Sequence, residues 1–411
     1  MRCAMNFNNK LLALFLAQIC IVVPPVYAFD IGIHAHAQRY SQNALQITSN
    51  LEKYGFNSIR SDITWEWVEK KPGSFSLSNA AKKNQNLIDT MDKNNHSAMV
   101  VLAYGNGNYT PSGYPENEKQ IKAFTDYVKY IVTLNKGKVK YYEVWNEWVY
   151  KTGIKDRGVN VPSTDIYLKL VKQTYETIKA IDPSAIVVSG TINPTNTRDV
   201  MWFDELIKKG ILKYLDGVSL HPYSFMHGNK KLRNPTDNFN DVIEYQNHIA
   251  QRNNGINVPI YITEMGVPTY DGEGGVTRLD AAIFAFKYTL LAMSNKNIKG
   301  IWWYDYSDDG VIRKNKENNF GFFDHYYHPK SSAVAMYELM KLTQGKDISA
   351  SIINGNVSVT VRNSLDNTKR VILWNDNESN SLSSNESAKI YINNEIVDSG
   401  KKLFVNTPNL Y

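Results

Sequence analysis

From Phe29 onward, short apolar runs alternate with stretches in which apolar residues recur every three to four positions. The runs are Phe29–Ala35, Asn57–Ile63, Ser97–Ala103, Val139–Glu147, Ala185–Gly190, Gly217–Tyr223, Val258–Gly266 and Gly300–Tyr306. They are rich in the β-branched and aromatic residues that suit buried strands. The intervening stretches read as amphipathic helices. Tyr167, Leu170, Val171 and Tyr175, for example, fall at i, i+3, i+4 and i+8 and share one helix face. Ser331–Leu342 supplies a last helix after a long loop. Eight alternating β and α units predict an α/β fold, a closed (β/α)8 TIM barrel spanning 29–345. Beyond Gln344 the period changes. Ser351–Val361, Arg370–Trp374, Lys389–Ile392 and Leu403–Val405, separated by Asn, Ser and Gly turns, predict a small β-sandwich module over 346–411.

Polar side chains collect at the exits of these strands, the rim on which barrels of this kind place their chemistry. They are His34 and His36, Arg60 and Asp62, Tyr104, Asn146 and Glu147, His221 and Tyr223, Glu264, and Trp303 with Asp305. Two apolar strands each end in a carboxylate, Glu147 and Glu264, which is costly to desolvate without a partner or a task. Two carboxylates on one rim are what cleavage of a glycosidic bond requires. Glu147, between Trp145 and Trp148, is the candidate acid/base, because an apolar surround raises a carboxyl pKa. Glu264 is the candidate nucleophile, kept ionised by hydrogen bonds from groups such as Tyr223 and Arg60. Strict alternation would point Asn146 and Glu147 to opposite faces. Both reach the rim only if the pleat breaks at the strand exit, for instance at a bulge.

These residues resemble clan A of the glycoside hydrolases. The resemblance rests on Trp145-Asn146-Glu147 ending the fourth strand and Glu264 ending the seventh. Within the clan, Trp65-x-x-Val68-Glu69-x-x-Pro72-Gly73-x-Phe75 is similar to family 39 and its relatives. His221-Pro222-Tyr223, Trp302-Trp303-Tyr304 and Asn319-Phe320-Gly321-Phe322 with Pro329-Lys330 are similar to it too. The likeness runs from about Phe29 to Leu342. It implies a retaining mechanism through a covalent glycosyl-enzyme, with the two carboxyl groups about 5–5.5 Å apart. It further implies that Asn146 bonds the sugar 2-hydroxyl, Tyr223 orients Glu264 and Arg60 supports it. Trp303 would stack beneath the sugar, and His221 and His36 would contact it. The chain departs from many clan members in offering Tyr104, rather than a His, after the third strand.

Composition narrows the setting. Arg2 and Lys10 precede an apolar run from Leu11 to Val23, and Val26-Tyr27-Ala28 is a small-residue cleavage site, so 1–28 read as a signal peptide. Cys3 and Cys20 both lie inside it, which leaves a mature chain without disulfides or thiol chemistry. The formal charge of +6 is spread mostly over helix-face lysines, without the basic tract that nucleic acid requires. The expectation is a periplasmic or secreted monomer without metal or cofactor, its partner a polysaccharide or oligosaccharide, off the membrane once the signal is cut. An endo-acting enzyme on a bacterial exopolysaccharide is expected. An exo-acting, xylosidase-like enzyme and a plant-polysaccharide endoglycanase are the alternatives. A metal-dependent, amidohydrolase-type barrel would instead use His34, His36, His221 and Asp305. The fifth strand supplies no His for it, and it leaves the paired carboxylates unexplained.

Overall fold

The computed structural model describes residues 29–376, together with the backbone of 390–392 and 395–397. The expected signal peptide at 1–28 and strand at Leu403–Val405 lie outside the described residues. Eight parallel strands close into a barrel in chain order. They are β1 (Asp30–His34), β2 (Ser58–Asp62), β3 (Ser97–Leu102), β4 (Tyr141–Val144), β5 (Ile186–Ile192), β6 (Gly217–Leu220), β7 (Ile260–Met265) and β8 (Ile298–Trp303). Around them run α1 (Ala44–Lys53), the short α2 (Trp65–Val68), α3 (Asn79–Lys93), α4 (Glu118–Leu134) and α5 (Thr164–Ile181). The ring continues with α6 (Thr197–Lys208), α7 (Pro235–Arg252), α8 (Arg278–Ser294) and α9 (Ser331–Thr343). Polar residues cap most of these helices. Asn43 and Gln46 form a reciprocal capping box on α1, and Asn117 and Thr277 satisfy free amides at the starts of α4 and α8.

The barrel interior is filled from below. Met99, Tyr141, Val188, Tyr261 and Trp302, from five different strands, pack on one another apart from the main core. The Trp302 indole lies directly over Gly32 of β1, where a Cβ would come within 2.0 Å of it. Only glycine permits that approach. With the lower barrel closed by side chains, chemistry is left to the carboxyl ends of the strands.

After α9 the chain forms an antiparallel meander of β9 (Asp347–Ile353), β10 (Asn356–Arg362), β11 (Lys369–Asn375), β12 (Ile390–Ile392) and β13 (Glu395–Val397). One expectation is corrected here and one is borne out in part. The single strand expected at Ser351–Val361 is a hairpin, turned at Asn354-Gly355 with φ of 51° and 80°. Asn-Gly tolerates that left-handed pair, and the apolar residues on both sides had masked the turn. The expected β-sandwich is borne out in part: the described strands make one antiparallel sheet. Helix α8, apolar on all sides, is buried between α9 and this sheet. A buried ion pair fastens the sheet to the barrel: Lys287 of α8 donates to Asp376 at 2.7 Å. Thr236 of α7 bonds Asp376 and receives the Trp374 indole N–H at 3.0 Å. No helix among the described residues is long and apolar enough to cross a membrane.

Candidate active site

A cleft of about 850 Å³ opens at the carboxyl ends of the strands. Its walls include Gly107 and Pro111 from the loop after β3, Lys155 and Asp156 after β4, and Lys316 and Phe320 after β8. The two long loops Gly105–Glu118, after β3, and Asp305–Lys330, after β8, both contribute to these walls.

Glu147 and Glu264 meet at the base of this cleft, and neither sits on a regular pleat. Strand β4 ends at Val144, after which Trp145 and Glu147 both take left-handed conformations, with φ of 66° and 49°. Two such residues flanking Asn146 resolve the alternation problem without a bulge and bring both polar side chains to the rim. The turn is held by Thr191, whose hydroxyl accepts the Glu147 backbone N–H at 2.7 Å. On β7 the register against β8 shifts between Ile262 and Met265, and this irregularity delivers Glu264. One carboxylate oxygen of each glutamate and a ring nitrogen of His221 lie within 4.8 Å of one another.

The two carboxylates have different surroundings. Glu264 accepts from Arg60 Nη1 at 2.7 Å and from the Tyr223 hydroxyl at 2.8 Å. Burial alone would raise its pKa, but His221, Arg60 and His34 outweigh that and hold the carboxyl well below its usual range. Burial and the facing Glu264 drive the Tyr223 phenol far upward, so it stays a donor. Glu147 accepts from the Thr152 hydroxyl at 2.7 Å and lies 3.1 Å from His221 Nδ1, with 22% of its side chain exposed. Trp145 and Trp148 are wholly buried and pack on Tyr114, so the partners seen around Glu147 are polar.

Arg60 ties the site together. Fully buried, it also donates to Glu143 Oε2 at 2.7 Å and to Asn146 Oδ1 at 2.8 Å. Asn146 Nδ2 reaches the Tyr104 hydroxyl at 3.1 Å, which leaves one amide hydrogen free for a ligand. Tyr104, two residues past the end of β3, thus supplies the partner of Asn146 on that side of the cleft. Arg60 Nη1 is also 3.0 Å from His34 Nδ1. Because a guanidinium only donates, Nδ1 accepts and the proton of a neutral His34 sits on Nε2. His36 lines the cleft beside His34, their rings 4.3 Å apart.

Trp303 departs from expectation. It faces outward, 1% exposed, with its indole N–H on Thr289 of α8 and its ring against Phe284 and Tyr288. Trp302 fills the barrel from inside, so alternation sends the next side chain to the helices. Of the Trp302-Trp303-Tyr304 run, it is Tyr304 that lines the cleft. The amidohydrolase-type set is not assembled either. His34 and His36 group with Asp62, His221 groups with the two glutamates, and Asp305 joins neither group. His34, Asp62 and Tyr304 were legible at strand exits or in a motif, but without a role in bond cleavage, whereas Glu143 and Thr152 were left out. Of the latter two only Glu143 carried a signal, an acidic residue inside an apolar strand two positions from Tyr141.

Asp305 is buried with both carboxylate oxygens unpartnered. Burial and the nearby Asp309 and Asp308 push its pKa well above the carboxylate range. Between the unfolded pKa, near 3.8, and this raised value the folded state holds a proton that the unfolded state releases. Stability therefore falls as pH rises through that window. The Asp305→Asn protein has no such proton. Its stability relative to the wild type is expected to grow from pH 4 to pH 7, a trend that urea unfolding at each pH measures; parallel curves would refute the assignment.

The family model for cellulases, glycosyl hydrolase family 5, matches residues 26–309. No curated protein matches the chain. Among solved structures, a family 39 glycoside hydrolase from the gut symbiont Bacteroides cellulosilyticus WH2 superposes with a TM-score of 0.69 at 22% identity, covering 84% of this chain and 70% of that one. Xylanase 10B from Thermotoga maritima gives 0.54 at 20% identity, covering 76% and 95%. A monomeric β-xylosidase from Caulobacter crescentus gives 0.57 at 16%, covering 81% and 73%. At these identities the structures share the fold.

Proposed function

The chain belongs to glycosyl hydrolase family 5 of clan A, and from that premise we propose that it is a retaining glycosidase acting by double displacement, with Glu264 as nucleophile and Glu147 as acid/base. The observation that carries this reading is the spacing of the pair, with oxygens within 4.8 Å. Retaining enzymes hold their carboxyl groups about 5–5.5 Å apart, and inverting ones leave about 6.5–9.5 Å for a water. In the first step a Glu264 oxygen bonds the anomeric carbon as the glycosidic bond breaks, and Glu147 gives its proton to the departing oxygen. In the second, Glu147 takes a proton from water, whose oxygen replaces Glu264 at that carbon. Asn146 donates its free amide hydrogen to the 2-hydroxyl. Tyr223 and Arg60 hold the nucleophile ionised and aimed.

The substrate in this reading is a polysaccharide cut internally, a bacterial exopolysaccharide, by an enzyme exported through its first 28 residues. Support for a polymer comes from the size of the cleft, about 850 Å³, and from its walls of loops after β3, β4 and β8. The test is release of reducing ends from purified polysaccharides, with the anomer of the first product followed by proton NMR. Net retention is expected, and inversion would sink the mechanism. Glu147→Gln is expected to slow polymer cleavage by about 10²–10⁴-fold. An aryl glycoside with a good leaving group should still react with Glu264 in that variant, because its departure needs no proton. Release of single sugars alone from chain ends would overturn the internal cut.

A further inference from the structure

Asp62, at the end of β2, is a largely buried carboxylate in the cleft wall for which the mechanism has no task. Its carboxylate faces the cleft with 14% of the side chain exposed. Its neighbours are His34 Nε2 at 3.8 Å and His36 Nδ1 at 3.9 Å, beyond hydrogen-bonding distance. Both imidazoles are more than nine-tenths buried, and the Nε2 atom of each lacks a partner. Burial opposes charge on Asp62, but His34, His36 and Arg60 outweigh it and hold the pKa at about 2. Burial and His34 bring His36 down to about 3, so this ring is neutral. An ionised carboxylate beside unpaired imidazole nitrogens, largely withdrawn from water, is costly unless a ligand completes it.

Two features say which ligand. First, position: the His34 ring lies between the nucleophile and Asp62, with Nδ1 3.7 Å from Glu264 Oε2 and Nε2 facing Asp62. Thr152 and His221 hold Glu147, past which the leaving group departs. A sugar bonded to Glu264 therefore extends toward Asp62. Second, chemistry: the trio offers strong acceptors on Asp62 and ring N–H donors a few ångströms away. A hydroxyl, which donates and accepts at once, satisfies both. A carboxylate has only acceptors and would face the Asp62 charge, whereas an ammonium has only donors and would face the imidazole N–H.

Building on the retaining-hydrolase reading, we propose that Asp62, His34 and His36 form a hydroxyl-reading pocket for the sugar on the glycone side of the cut, selecting a neutral sugar there and excluding uronic acids. Asp62 takes hydrogen bonds from ring hydroxyls, and the histidines donate back to one of the same oxygens. The specificity of the enzyme then resides on the β1–β2 side of the barrel mouth, apart from the carboxylates that break the bond.

The test uses the Glu264→Gln protein on an array of neutral gluco-, manno-, xylo- and galacto-oligosaccharides together with uronate-containing oligosaccharides. Binding to neutral glycans is expected. Adding Asp62→Asn should weaken it about 10- to 100-fold, the scale of lost hydrogen bonds to a charged group. Circular dichroism checks that the double variant is folded, and Asp62→Ser repeats the test if the Asn protein is not. Preference for uronate glycans, binding to none, or equal binding with and without Asp62 would overturn the pocket. Failure of the underlying reading shows separately, as hydrolysis that persists in Glu264→Gln alone.

Discussion

Glu264→Gln is expected to lower turnover by on the order of 10⁴-fold or more while leaving glycan affinity within a few-fold. The amide keeps the shape of the carboxylate and can still accept from Arg60, but it has no charge with which to attack the anomeric carbon. The native carboxyl is held well below the usual range, with burial opposed by His221 and Arg60. It therefore stays ionised as pH falls through the ordinary carboxyl range, and the acid limb of kcat/KM in the wild type should belong to other groups. The check is single-turnover kinetics with an activated aryl glycoside and intact-mass detection of the glycosyl-enzyme. The adduct should form on the wild type and be missing in the variant. An adduct on Glu147, or turnover in the Gln protein near the native rate, would reverse the two roles.

Arg60→Met is expected to cost both activity and about 3–5 kcal/mol of stability. The guanidinium and the Glu143 side chain are both fully buried, with a contact of 2.7 Å between them. Removing the cation strands Glu143 in a region of low polarity and takes from Glu264 its closest donor. The two losses can be separated. Glu143→Gln added to Arg60→Met removes the stranded charge and should return much of the stability. Turnover should stay low, because Glu264 still lacks Arg60. Urea unfolding and kcat on the three proteins check this. A double variant as unstable as Arg60→Met alone would mean that Glu143 does not set the cost, and recovery of turnover would remove Arg60 from the site.

Both predictions involve the contact of Arg60 with Glu264, and the second also its contact with Glu143 across the barrel, which no local pattern encodes. Arg60 and Glu143 belong to strands 83 positions apart in the chain. Arg60 was legible as a polar residue at a strand exit, but its four partners at the barrel mouth, Glu143, Glu264, Asn146 and His34, come from three other strands and the turn after β4. The Asn354-Gly355 turn is the opposite case. Its signal is local and visible, and the apolar residues around it outweighed it in the reading.

The sequence by itself determined the alternation of eight strands and their helices, the barrel they close into, and the rim on which the polar residues would gather. These follow from short-range periodicity: burying one face of each strand and helix admits few arrangements. It also marked Glu147 and Glu264, because a carboxylate ending an apolar strand is conspicuous in one dimension. Only the tertiary structure decided which way side chains turn where the pleat fails. Left-handed Trp145 and Glu147 bring Asn146 and Glu147 to the same rim, whereas the unbroken pleat of β8 sends Trp303 into the helix layer and leaves Tyr304 in the cleft. Period-two reasoning holds while the strand is regular and is lost over the one or two residues past its end. That is where barrels keep their chemistry, so the last side chains of each strand had to be seen in place.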